Sequence, residues 1–256
     1  ALVNNAPQVA AGNDYVIPAN TPFVLKGAGA DLDSDPLNYT WEQIDLGTES
    51  SSPATMVDDG SRPLFRFVAP TSVPERTLPS LTSLLTNTLA IGEAWPATNR
   101  DLNFRLTARD GKGGVASDDM KIQVVNTGKA FALTSPVVTP LGAGKTQTIS
   151  WEVAGTNAAP INCSKVDLFM TRDEGANWTS LASGKPNSGS ASVTIPAGQD
   201  GTARLKVACS DNIFFAISPL KLSVTQRGEE GGSGGGGALG FWTLALALLG
   251  WQRRRA

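Results

Sequence analysis

The aspartates of the segment DLDSDPLNYTWE have the types and the spacing that could bind a metal ion. Asp31, Asp33 and Asp35 stand at positions 1, 3 and 5 of a loop and Glu42 stands at position 12, a spacing found in the calcium loops of helix–loop–helix sites. That kind of site is excluded, because position 6 is Pro36 where the sharp turn needs glycine. The residues before Glu42 also have the composition of a strand rather than a helix.

Two interpretations of these aspartates remain open. In the first, a surface calcium ion lies between the loop and either Asp110 or Asp118, so that its ligands come from Asp31, Asp33, Asp35, Asp110 and Asp118. In the second, the segment is an aspartate-rich turn whose side chains bond their own backbone. Calcium is the one cofactor that the sequence suggests for this chain.

The absence of histidine restricts the catalytic chemistry of the chain. Without histidine there is no Ser-His-Asp triad, no Cys-His pair and no HExxH zinc helix. The chain has no GxxxxGK[ST] loop, and its glycine run GSGGGG, although it fits the letters GxGxxG, follows no strand and opens no phosphate-binding helix, so we interpret that run as a linker. Carboxylate pairs from distant residues stay open as acid-base groups. We predict that the chain has no catalytic residues and is not an enzyme.

The two cysteines, Cys163 and Cys209, are 46 positions apart, one just before a predicted strand and the other at the end of one. An even number of cysteines in an exported chain predicts a disulfide between them. The alternative is two buried free thiols.

The segment TRDEGANW fits the Asp-box pattern [ST]-x-D-x-G-x-x-W through Thr171, Asp173, Gly175 and Trp178. We expect Asp173 to accept backbone N–H groups across a hairpin, Gly175 to have positive φ and Trp178 to pack beneath the turn. The motif occurs once, which excludes a propeller built from its repeats. We therefore predict a structural role, with ligand binding as the alternative.

Short runs of β-strand composition, separated by Gly, Asp, Asn and Pro, predict an all-β chain. In DLNFRLTARD, apolar residues from Leu102 to Ala108 alternate with polar ones, and the following DGKGG predicts a tight turn. Trp41 is the predicted central core aromatic. These patterns predict two consecutive immunoglobulin-like or fibronectin-like β-sandwiches at residues 1–127 and 128–226.

The first sandwich contains a long insertion at about residues 47–99. Residues 80–90 of this insertion predict a short helix. One interpretation is that the insertion covers a sheet edge. The other is that it forms a docking surface for a catalytic domain or a partner, with residues 62–67 (RPLFRF) as the contact.

Residues 227–256 form a tail with a glycine-rich linker, an apolar run at residues 238–251, which predicts a short hydrophobic helix, and then Arg253, Arg254 and Arg255. The fourteen apolar-run residues would span ~21 Å as a helix, less than the ~30 Å hydrocarbon core of a bilayer. The arginines favour a cytoplasmic C-terminus with both sandwiches outside. We predict a transient inner-membrane anchor; a lasting single-pass anchor is the alternative. The predicted cleavage region comprises Gly231, Gly232, Gly234, Gly235, Gly236, Gly237 and Ala238.

Longer segments carry a resemblance to known families. PFVLKGAGADLDSDPLNYTWEQ and FRLTARDGKGGVASDDMKIQVV resemble the polycystic-kidney-disease (PKD) type of immunoglobulin-like domain. Together with ISWEVAGTNAAPINCSKVDLFMTRDEGANW and RLKVACSDNIFFAIS, they resemble the accessory region that follows the catalytic domain of secreted bacterial reprolysin-like zinc metallopeptidases. The tail is similar to a GlyGly-CTERM sorting signal.

The resemblance implies a Gram-negative host, type II secretion, tail cleavage by a rhombosortase-type intramembrane protease, and final residence at the cell surface or outside the cell. The zinc of such peptidases is held by an HExxH helix, which this sequence does not contain. The chain begins at Ala1 and is interpreted as a processed chain or a fragment, so the upstream catalytic domain of the same polypeptide is an expected partner.

We therefore predict a non-catalytic spacer and docking region of an exported protein, whose other partners are the secretion machinery and, through the tail, the membrane. A net charge of −2 argues against nucleic acid as a partner. The alternatives are a stand-alone surface adhesin or polysaccharide-binding module and a hydrolase that uses carboxylates.

Overall fold

A computed structural model describes residues 4–48, 56–137 and 140–226. These residues form seventeen strands and one short helix, which confirms the all-β fold class. The strands fall into two successive groups, and each group makes its own pair of packed layers. The predicted apolar helix and arginine cluster of the tail lie outside the described residues, and within those residues no helix is long and apolar enough to cross a membrane.

The first group of strands forms a sandwich with one four-stranded sheet. Its elements are β1 (Gln8–Ala10), β2 (Tyr15–Pro18), β3 (Phe23–Lys26), β4 (Ala28–Ala30), β5 (Asn38–Gln43), β6 (Glu75–Leu78), α1 (Leu81–Thr86), β7 (Arg100–Arg109) and β8 (Val115–Val125). The larger sheet has the order β2-β8-β7-β5, with β2 parallel to β8. The pairs β1–β4 and β3–β6 make the other layer.

The second group repeats this arrangement. Its strands are β9 (Ala132–Ser135), β10 (Leu141–Gly142), β11 (Thr146–Glu152), β12 (Lys165–Thr171), β13 (Thr179–Pro186), β14 (Ser190–Thr194), β15 (Gly201–Cys209), β16 (Phe215–Ile217) and β17 (Leu222–Thr225). One sheet has the order β10-β17-β15-β12-β13, with β16 paired to β15, and the facing sheet has the order β14-β11-β9. A short strand runs parallel to the last strand in both groups, β2 with β8 and β10 with β17. Both therefore have the strand order of an immunoglobulin-like sandwich.

The alternating pattern of β7 shows why these sequences form sheets. Leu102, Phe104, Leu106 and Ala108 are fully buried on one face, because successive side chains of a strand point to opposite sides. Trp41 of β5 is 3% exposed, and its indole N–H donates a hydrogen bond of 3.1 Å to a backbone carbonyl. The predicted core aromatic is therefore in the core.

The insertion of the first sandwich proves to be part of its framework. Strand β6 lies within the insertion and pairs with β3 along its whole length, so here the insertion covers an edge of β3 by adding a hydrogen-bonded strand. The predicted helix is confirmed as α1, which begins after Ser80, and the Ser80 hydroxyl accepts the N–H of Ser83. Leu64 and Phe65 of the segment proposed as a docking contact are buried in the core. That interpretation is therefore corrected for these two residues.

The two sandwiches are joined by backbone pairing around Phe214. Phe23 of β3 forms an antiparallel bridge with Phe214, and the Val24 N–H donates to the Ile213 carbonyl at 2.9 Å. Phe214 also packs edge-to-face on Phe131, with ring centroids 5.1 Å apart. Buried side chains of both sandwiches consequently form one continuous apolar cluster.

The helix α1 makes a second junction between the sandwiches. Arg204 of β15 is 5% exposed and donates from its guanidinium to the Leu85 carbonyl at 2.7 Å and to the Ser218 carbonyl at 2.8 Å. On the same side, the Asn87 amide donates to the Pro219 carbonyl at 2.7 Å. Carbonyls at the end of a helix have no partner within the helix, and Arg204 supplies one from the other sandwich.

Candidate metal site and interdomain cleft

Three of the predicted aspartates converge at one end of the first sandwich. Asp31 follows β4, Asp35 precedes β5 and Asp110 follows β7, and the register that pairs Asn38 with Arg109 brings the two loops together. One carboxylate oxygen from each of Asp31, Asp35 and Asp110 lies within 4.8 Å of the others. We call these three residues the aspartate cluster.

Backbone groups hold two members of the cluster in place. Oδ1 of Asp31 accepts the N–H groups of Asp33 and Asp35 at 2.8 and 3.2 Å. Asp110 accepts the N–H groups of Lys112 and Gly114 at 2.7 and 2.9 Å. An aspartate-rich turn makes bonds of this kind to its own backbone. The turn interpretation therefore accounts for Oδ1 of Asp31 and for the carboxylate of Asp110.

Two oxygens of the cluster are buried without hydrogen-bond partners. Oδ2 of Asp31 and Oδ2 of Asp35 have essentially no contact with solvent and no hydrogen-bond partner. The Asp35 side chain is only 8% exposed, and its other oxygen lies 2.6 Å from Nζ of Lys112. A buried acceptor without a partner costs about 1–3 kcal/mol, and more when it is charged. This cluster therefore has unused ligand capacity.

Asn4 also contacts the aspartate cluster, although it was not among the predicted site residues. The Asn4 amide donates to Oδ2 of Asp110 at 2.8 Å. This bond, followed by the backbone N–H of Lys112, lowers the pKa of Asp110 and keeps its carboxylate ionised. No sequence signal relates Asn4 to an aspartate 106 positions away, because only the fold brings the N-terminal segment to this turn.

Two of the five predicted calcium ligands lie elsewhere. Asp33 is at the outer side of the turn and accepts the backbone N–H and the amide of Asn5 at 2.7 and 3.0 Å, which lowers its pKa. Asp118 lies within β8, where it accepts the Ala11 N–H at 2.8 Å. Among the described residues, three of the five predicted ligands, Asp31, Asp35 and Asp110, come within 4.8 Å of one another, and a calcium site at these residues stays a prediction.

The predicted disulfide between Cys163 and Cys209 is confirmed. Both residues are buried, and their Cα atoms are 5.9 Å apart. The bridge joins the segment before β12 to the end of β15, which are neighbours in one sheet. It therefore differs from the bridge between the two sheets that is typical of antibody domains. Asp211 lies near both sulfurs, but bonded sulfurs offer no thiolate to a metal.

The Asp-box residues form a closed hydrogen-bonded turn. Asp173 accepts the backbone N–H and the amide of Asn177 at 2.9 and 2.7 Å, and it accepts the Thr171 hydroxyl at 2.7 Å. These bonds, led by the Asn177 amide, lower the pKa of Asp173 to about 2. Gly175 has φ of +85°, a region that favours glycine. Every one of these contacts is within the turn.

A cleft beside the Asp box lies between the two sandwiches. Its volume is about 180 Å³, and Lys26 of β3 and Lys206 of β15 both line it. Nζ of Lys206 lies 4.0 Å from the ring centroid of Trp178 and 4.8 Å from that of Phe169, which is cation–π geometry. Burial, and then the positive charge of Lys26, lower the pKa of Lys206 to about 8. Two ammonium groups, Lys26 and Lys206, and one carboxylate, Asp167, therefore line this cleft.

No protein-family profile and no curated protein matches the sequence. Among solved structures, the Ig1-2 module of the Drosophila receptor protein tyrosine phosphatase DLAR is 10% identical, with a TM-score of 0.43, over 87% of this chain and 100% of that one. The Bacteroides ovatus protein SGBP-B, in complex with a mixed-linkage heptasaccharide, is 12% identical with a TM-score of 0.25, over 87% of this chain and 48% of that one. At these scores the likenesses carry no argument about function, and the fold class rests on the strand order.

Proposed function

We propose that this chain is a non-catalytic accessory region of an exported protein, which positions and docks a neighbouring domain of the same polypeptide. The observation that carries the proposal is the double junction between the sandwiches, made by Phe23 with Phe214 and by Arg204 with the end of α1. Domains that move independently are joined by linkers with few contacts. A rigid pair, in contrast, transmits a fixed distance and orientation.

The surface of the insertion supports a docking role. Phe67, Val68 and Ile91 are 57%, 39% and 69% exposed. The Arg66 N–H donates to the Gly92 carbonyl at 2.9 Å. Phe67 follows Arg66 and Ile91 precedes Gly92, so these two exposed side chains lie on neighbouring segments. Adjacent exposed apolar side chains of this size are typical of surfaces that contact another protein.

The neighbouring domain that we propose is a zinc metallopeptidase. This assignment rests on the resemblance of both sandwiches to the accessory region of secreted reprolysin-like enzymes and on the sorting-signal pattern of residues 227–256. Zinc and its ligands would then belong to the neighbouring domain, because this chain contains no histidine.

The proposal predicts a split in activity between the chain and its parent polypeptide. The purified full chain should not cleave a casein substrate with or without added zinc, since it contains no histidine to ligate zinc or to act as a base. The native polypeptide that contains this sequence should cleave casein in a chelator-sensitive way. Chelator-sensitive cleavage by the chain alone, or a parent polypeptide without peptidase activity, would refute the proposal.

A surface adhesin or polysaccharide-binding module is the second candidate, and the Lys206 cleft favours it. Aromatic rings beside an ammonium group suit an acidic sugar, because the rings provide apolar contact and the ammonium pairs with a carboxylate. If the parent polypeptide has no peptidase activity, this candidate is favoured. Saturable binding of polygalacturonate by the purified chain would establish it.

We further propose that residues 227–256 direct the protein to the inner membrane and are then removed within residues 231–238. The short apolar run and the arginines after it suit a temporary anchor with the sandwiches outside the cytoplasm. Glycine before the run weakens a helix, so the backbone opens readily to an intramembrane protease of the rhombosortase type.

Mass spectrometry of the C-terminal peptide tests tail removal. The surface-exposed protein from the native host should end between residues 231 and 238, whereas the membrane precursor should retain the arginines. Recovery of the intact peptide GFWTLALALLGWQRRRA from the surface-exposed form would instead establish a lasting anchor.

A further inference from the structure

We infer that the aspartate cluster is a calcium site and that the ion fastens the N-terminal segment to the first sandwich. The inference does not depend on the proposed docking role, because it rests only on the residues at this end of the sandwich. The three carboxylates come from two loops that are far apart in sequence and are held together by the β5–β7 register.

The first argument is the imbalance of charge at the cluster. One carboxylate oxygen from each of Asp31, Asp35 and Asp110 lies within 4.8 Å of the others, and Asp33 lies in the same turn as Asp31 and Asp35. The cation paired with the cluster is Lys112, whose Nζ lies 2.6 Å from Oδ1 of Asp35. The Lys112 side chain is 62% exposed, so it offsets the negative charge only weakly.

The second argument is the pair of oxygens without partners. The Asp35 side chain is more than nine-tenths buried, and its Oδ2 is without a hydrogen bond, as is Oδ2 of Asp31. Within the described residues the cluster therefore presents two ionisable oxygens that no protein group satisfies. A bound cation removes this cost, because buried charges are tolerated when they are paired or coordinate a metal.

The third argument is the chemistry and span of the donors. All the donors are oxygens, the ligands that calcium and magnesium prefer over softer metals. Two oxygens on one calcium ion at ~2.4 Å can be no more than ~4.8 Å apart, and the three carboxylates satisfy that limit. Calcium is favoured over magnesium because calcium accepts several carboxylates in a flexible geometry, whereas magnesium keeps several waters and usually binds through only one or two carboxylates.

The position of the cluster explains what the ion would stabilise. Asp110 already receives the Asn4 amide, and Asp33, next to Asp31 and Asp35 in the same turn, receives two hydrogen bonds from Asn5. An ion that holds Asp31 and Asp110 together would therefore fix the turn on which residues 4 and 5 rest. Calcium would therefore strengthen the attachment of residues 4 and 5 to the first sandwich.

Thermal unfolding of the full chain tests the inference. At a calcium concentration of ten times the Kd, Tm should rise by about 3–6 °C relative to chelator, and the backbone amide of Asn5 should exchange more slowly with solvent. Asp35→Asn should abolish both effects. In chelator this variant should be at least as stable as the unmodified chain, since it removes one of the crowded carboxylates.

Two matched variants separate a specific site from general charge effects. Asp119→Asn removes an exposed carboxylate of the same sandwich that pairs with Arg105, and it should keep the full calcium-induced shift. Lys112→Met removes the competing ammonium and should lower the Kd for calcium several-fold. The inference would be overturned by no calcium-induced shift, by an equal shift in Asp35→Asn, or by an equal shift with magnesium at the same concentration.

Discussion

Replacement of Phe214 by alanine is expected to lower the free energy of unfolding by about 3–5 kcal/mol, the usual range for a buried phenylalanine. Phe214 is fully buried, packs edge-to-face on Phe131 and bridges to Phe23 of the other sandwich. The lost side chain leaves a cavity at the junction, which the strands on either side can fill only in part. Denaturant unfolding of the full chain measures the change.

Phe67→Ala is the matched control, because Phe67 is 57% exposed and should change stability by no more than about 0.5 kcal/mol. Hydrogen exchange adds a readout that is local to the junction. The Val24 amide donates across the junction to the Ile213 carbonyl, so it should exchange faster in Phe214→Ala. Equal losses of stability in the two variants, or an unchanged Val24 amide, would show that the junction does not couple the sandwiches.

Reduction of the disulfide is expected to have an effect of similar size. The bridge closes a loop with a sequence separation of 46, for which the loop-entropy relation gives about 4 kcal/mol. The reduced chain should therefore unfold at a markedly lower denaturant concentration, and the strands joined by the bridge, β12 and β15, are the central pair of their sheet. The unfolding midpoint with and without reductant measures the difference.

A variant with both Cys163→Ala and Cys209→Ala provides the control for reduction. Its midpoint should not respond to reductant, and it should lie close to that of the reduced unmodified chain. If reductant leaves the midpoint of the unmodified chain unchanged, the bridge contributes little to stability, and the apolar cluster alone maintains the second sandwich.

The long, strongly alternating strands can be predicted from sequence because their pattern is local. The alternation from Leu102 to Ala108 predicts β7, and runs such as KVDLFMTR and ARLKVAC predict β12 and β15. Local patterns do not predict the strands β1, β2, β6, β10 and β16. These have only two to four residues, too few for a periodic pattern, and they exist because a partner strand satisfies their backbone groups.

The candidate metal site, like the strands, can be predicted from the sequence only in part. The spacing of Asp31 and Asp35, with Asp110 at a predicted turn, suggests an oxygen site from the sequence alone, and an aspartate-rich turn is the alternative. The exclusion of Asp118 and the contribution of Asn4 depend on the strand register, because hydrogen bonds such as that from Asn4 to Asp110 join residues 106 positions apart.

The junction between the sandwiches is the feature that sequence predicts least. Each half of the sequence indicates an immunoglobulin-like sandwich by its own strands, but no local pattern relates Phe23 to Phe214 or α1 to Arg204. Composition and periodicity specify which face of a strand is buried. Which surfaces of two finished sandwiches pack together depends on the shape and on the unsatisfied backbone groups that folding creates, so the contact is a property of the assembled chain.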